Sequence, residues 1–153
     1  MRIYNGLPML ALALIVSPTV MSCAGPTGPS GTATVDQFVQ TLQDRGLTVR
    51  REGTIVPNDN RFFTVGAQQL VIDGSRVSAF EYPSVKAAAS EAALVTPDGQ
   101  PNPVARFSWV STPRFYRQER IIVLYVGCSA DLIRTLDDVL AAPFVIGATQ
   151  CPN

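Results

Sequence analysis

The run Ile121-Ile122-Val123-Leu124-Tyr125-Val126 constrains this chain more than any other stretch. A strand with one wet face alternates apolar and polar side chains. This run does not alternate, which predicts a central strand buried on both faces. A second constraint lies upstream, where Asp73-Gly74 separates two short apolar segments. Asp-Gly accepts the positive backbone angles of a tight hairpin turn, so residues 69–72 and 76–82 are expected to pair as a hairpin.

The helices are signalled by caps and spacing. Thr34 with Gln37 three residues later forms a capping-box pattern. Val35, Phe38, Val39 and Leu42 then make one apolar stripe, and Gly46 suits the position just past the helix end. Pro83 fits the entry to an Ala-rich helix over 85–94. A third helix is expected over 129–140, with Leu132, Ile133, Leu136, Val139 and Leu140 on its apolar side and Pro143 beyond its end. Short strands are expected at 47–51 and 104–111, a loop at 112–117, and the central strand within 119–127. The predicted class is α+β: an antiparallel sheet of four to five strands with helices packed on one face. Arg76-Val77, Phe80, Tyr82 and Ser84 align without gaps with Arg120-Ile121, Leu124, Val126 and Cys128. That alignment raises a hairpin-plus-helix duplication, on which the architecture does not depend.

The N-terminus reads as an address. Arg2 and the terminal amine form a small positive region, and Met9 to Val16 is a short apolar run broken by Ser17 and Pro18. A membrane-spanning helix needs about 20 apolar residues, so this run is too short to be one. After Cys23 comes AGPTGPSGTAT, which is linker composition. Val20-Met21-Ser22-Cys23 resembles the lipobox of bacterial lipoproteins: aliphatic at −3, small at −1, and the cysteine that takes the lipid at +1. The resemblance implies a signal peptide over 1–22, cleavage before Cys23 and lipid on that cysteine. Residues 23–33 form the anchor and tether, and 34–153 a single domain. Ala24 after the cysteine resembles the default that permits transfer to an outer membrane where one exists. The expected location is therefore extracytoplasmic, on the cell membrane or the outer membrane. As a Gly-rich coil, residues 24–33 reach on the order of 15–20 Å.

Composition excludes several functions. Apolar residues make up 46% of the chain and charged residues 16%, which supports a buried core. With 12 basic and 12 acidic residues the net charge is zero. There is no electrostatic footprint for a nucleic-acid partner and no polybasic lipid-binding patch. Histidine is absent. That removes His-based triads and bases and nearly all zinc sites, so no metal or cofactor is expected. With Cys23 lipidated, Cys128 and Cys151 remain, either as a disulfide in an oxidising compartment or as two free thiols.

A few residues could carry chemistry. Asp137 and Asp138 are adjacent on a helix and point about 100° apart, so they cannot share a proton and read as a solvated face. Trp109, on a predicted strand, reads as core. The stretch Arg114-Phe115-Tyr116-Arg117 is a candidate binding surface, since Arg and Tyr anchor contacts well. The alternative is that its aromatics fold back on the core. Residues 108–117 and 120–127, with Phe80-Glu81-Tyr82, resemble a group of small secreted bacterial lipoproteins of uncharacterised function. The likeness covers most of residues 65–147. It implies an extracytoplasmic domain of this layout and no activity. Position 114 is often His in that group, so Arg114 departs from it.

The expected function is a non-enzymatic envelope module for binding or scaffolding, with an envelope protein as partner. One rival is a small-ligand binder using Arg114–Arg117 to hold an anionic or sugar-containing envelope component. Another is a hydrolase using only carboxylates, which needs Glu81 and Glu119 to converge on a cleft.

Overall fold

The computed structural model describes residues 34–57, 62–101, 106–148 and 151. Helix α1 (Val35–Asp44) begins where Thr34 accepts the Gln37 amide at 3.1 Å. It ends in a Schellman motif: Gly46, at φ 84°, donates to Gln43, and Leu47 donates to Leu42. Strands β1 (Val49–Ile55), β2 (Ala67–Ile72) and β3 (Ser75–Glu81) follow. The turn between β2 and β3 is Asp73-Gly74, both with positive φ, as the hairpin reading expects. Helix α2 (Val85–Ala92), strands β4 (Pro113–Gln118) and β5 (Ile121–Val126), helix α3 (Ala130–Leu140) and the short strand β6 (Val145–Ile146) complete the order.

All strands join one antiparallel sheet in the order β1-β2-β3-β5-β4-β6. The class is α+β, and among the described residues the sheet has six strands rather than four to five. The non-alternating run is central, between β3 and β4, and Ile121 to Tyr125 are all buried. Ile121, Val123 and Tyr125 pack with α1 (Phe38, Leu42) and α3 (Leu132, Leu136). Ile122 and Leu124 point the other way, into a second core with Phe63, Phe80, Phe115 and α2 (Ala88, Ala92). Helices therefore cover both faces, not one. The reason lies in β5 itself, since one helical layer would leave Ile122 and Leu124 in water.

The two hairpins repeat each other in geometry. Matching their turns, Asp73 onto Glu119, sets Ser78 onto Leu124, and these two residues are also direct partners across β3 and β5. This is a local twofold axis normal to the sheet. Its register is two residues out of phase with the alignment read from the sequence. The helices break the repeat, because α2 packs on one face and α3 on the other. Hairpin plus helix is thus not repeated as a unit.

Candidate functional site

The predicted binding stretch Arg114-Phe115-Tyr116-Arg117 is not a loop. It is most of β4, where successive side chains take opposite faces. Phe115 and Tyr116 are both fully buried, one in each core. Phe115 meets the rings of Phe63, Trp109 and Phe144 at centroid distances of 6.4, 6.0 and 6.2 Å. Arg114 is half-buried and donates to the Gly127 carbonyl at 2.8 Å. Arg117 alone is exposed. As a binding surface the stretch is corrected: its aromatics are core, and the reading of an anionic or sugar ligand held between them loses its anchors.

A polar cluster that sequence reasoning missed lies beneath α3. Tyr116 and Gln118 share the face of β4 that carries Arg114, and Asp137 of α3 lies close enough to act on the Tyr116 phenol. Burial first, and the Asp137 carboxylate second, push the Tyr116 phenol far above its ordinary value. Tyr82, in the other core, is raised by burial and then by Glu91. Asp137 is half-buried with one oxygen shielded from solvent, whereas Asp138 is exposed. The expected solvated pair is therefore split. The missed signal was the place of Asp137 directly after Leu136, on the flank of the apolar stripe.

These tyrosines make stability depend on alkaline pH. Each has a folded-state pKa raised above its ordinary value of 10.0, so its contribution is complete below that value and is lost as pH rises through and beyond it. The melting temperature is expected to fall above about pH 10. The double variant Tyr82→Phe/Tyr116→Phe should flatten that fall. Thermal melts at stepped pH check this, and an identical fall in the variant would contradict it.

Trp109 is half-buried and not on a strand. It donates to the Gly99 carbonyl at 3.1 Å and stacks with Phe62 and Phe107, at 5.5 and 6.0 Å. The Gln100 amide holds both backbone groups of Phe107, at 2.7 and 3.3 Å. This aromatic shelf seals one edge of the α2-side core.

Two carboxylates proposed for hydrolysis have separate tasks. Glu81 accepts the Val35 amide at 2.9 Å and Arg120 Nη2 at 2.6 Å, which fastens the start of α1 to the sheet. Glu119 is exposed in the β4–β5 turn with φ 47°. A cleft of roughly 230 Å³ at the start of α3 is lined by Asp73, Ser129, Asp131 and Thr135. One of roughly 320 Å³ along β1 is lined by Glu52, Thr54, Gln69 and Arg76. Neither is lined by Glu81 or Glu119. Among the described residues there is no metal-ligating cluster.

Cys128 and Cys151 are bonded, with Cα atoms 5.5 Å apart. The bridge rests on Thr112, which is fully buried and sets its hydroxyl 3.2 Å from Cys151 Sγ. The expected pair is therefore formed. Cys23, the expected lipidation site, lies outside the described residues. Among those residues no helix is long and apolar enough to cross a membrane. Comparison with known proteins finds no matching family model, no similar curated protein and no similar solved structure.

Proposed function

We propose that the chain is a lipid-anchored extracytoplasmic protein whose domain is a non-enzymatic binding or scaffolding module. The observation that carries this reading is Val20-Met21-Ser22-Cys23 standing directly before a Gly- and Pro-rich tether. The Cys128–Cys151 bridge supports it, because it leaves Cys23 as the single cysteine available for acylation and suits an oxidising compartment. Two or more acyl chains on one residue hold a protein stably, at about 0.8 kcal/mol for each buried CH₂. The non-enzymatic part is supported by the absence of histidine and by carboxylates and arginines engaged in fastening elements together. The test is fractionation of cells expressing the full chain beside Cys23→Ala. The wild type should pellet with membranes and release only into detergent. The variant should lose the detergent requirement. Equal partitioning of the two would reject the anchor.

A further inference from the structure

The two ends of the sheet are not equivalent, because the domain starts at only one of them. Glu81 accepts the Val35 amide, and Arg120 holds Glu81 in turn. These bonds pin the first turn of α1 to the end where Ile55 pairs with Ala67 and Glu81 with Ile121. Thr34 caps α1 there, so the segment leading back to Cys23 departs from this end. The same end exposes three aliphatic side chains that the core does not use: Ile55 (36%), Val56 (52%) and Val85 (52%). Ile55 pairs with Ala67 on the α2 side of the sheet, and Val85 is the first residue of α2, which follows β3 at this same end. Lys86 and Arg117 are exposed at this end, as are two acids, Glu119 and Asp36, the latter paired with Arg51.

We propose that this end is a membrane-contact face, and that its occupant is the bilayer holding the acyl chains on Cys23. The proposal rests on the anchored reading. Reach supports it. Residues 24–33 span at most about 36 Å when fully extended, and strands of six residues are about 20 Å long. The capped end of α1 is therefore held near the bilayer. The opposite end reaches it only if the domain turns over and the tether runs along its side. Tethering makes contact an intramolecular event, so a shallow face of three aliphatic side chains suffices where a free protein would need far more. Basic side chains at the rim suit lipid phosphates, and the aliphatic tips suit the boundary beneath them.

Hydrogen exchange tests this on the mature chain. The Cys23 thiol is coupled either to a maleimide-headed phospholipid in phosphatidylethanolamine–phosphatidylglycerol vesicles or to N-ethylmaleimide in solution. Coupling does not depend on acylation in the cell. On vesicles, exchange at Ile55, Val56 and Val85 is expected to slow by about threefold or more. Exchange at Val110, 92% exposed at the other end, should not change. Val56→Asp/Val85→Asp should abolish the slowing while exchange in solution elsewhere stays as in the wild type. No slowing, or equal slowing at both ends, overturns the proposal. So does slowing in the N-ethylmaleimide sample that grows with protein concentration, which would mark a second copy as the occupant. Missing acyl mass on the cellular protein would sink the anchored reading alone and leave the vesicle result interpretable.

Discussion

Phe115→Ala is expected to destabilise the domain by about 3–5 kcal/mol, the range for truncating a buried aromatic in a packed core. The ring is fully buried in β4 and contacts rings from three separate segments: Phe63 before β2, Trp109 before β4 and Phe144 before β6. The neighbours are held in place by other contacts: Trp109 is tied to Gly99, Phe63 packs edge-on against Phe80 and Tyr82, and the Phe144 backbone is bonded to the Phe115 carbonyl. The cavity term therefore adds to the lost transfer energy. Arg117→Ala, two residues along and exposed, should change stability by no more than about 0.5 kcal/mol. Urea unfolding of the two variants separates core from surface within one stretch. Equal midpoints would contradict the burial of Phe115.

The second large effect belongs to the disulfide. Cys128 and Cys151 are 23 residues apart. In the chain-entropy account, closing a loop of that size contributes about 3–3.5 kcal/mol. Structure adds a local consequence. The bridge holds the chain beyond β6, and β6 itself has only two residues, paired to Arg114 and Phe115. Reduction should lower the unfolding midpoint and release β6, exposing the outer edge of β4. Cys128→Ser/Cys151→Ser should reproduce the reduced protein and lose its response to reductant. A midpoint indifferent to both changes would mean that the bridge adds no stability.

Some of this architecture is legible in the residues alone. Thr34 with Gln37 announces α1, Asp73-Gly74 announces the first hairpin, and the Ile121–Val126 run announces the centre of the sheet. Each is a local signal whose physics needs no tertiary partner. The second hairpin is harder to read. Its turn is Glu119-Arg120, with Glu119 at positive φ, where no Gly, Asn or Asp marks the spot. Strand β4 opens with Pro113 and sets two aromatics between two arginines. That pattern has neither period 2 nor a uniform apolar run, so it reads as a loop. Only the pairing with β5 and β6 makes it a strand. The side taken by α2 is also illegible, since it buries only Ala88 and Ala92 and has too little apolar surface to declare a face.

The candidate site divides along the same line. Cysteine counting finds the Cys128–Cys151 bridge, because pairing depends on compartment and number more than on geometry. The Arg114–Arg117 surface fails because exposure depends on register, which comes from strands far away in the chain. Asp137 is missed for a similar reason: a single flank position of α3 decides whether a carboxylate meets water or Tyr116.

The central claim is the anchor at Cys23, and intact mass of the membrane-extracted protein tests it most directly. The account predicts a chain beginning at Cys23, carrying added acyl mass, with Cys128 and Cys151 open to alkylation only after reduction. A chain that starts elsewhere, carries no lipid and alkylates at Cys23 without reductant would contradict it.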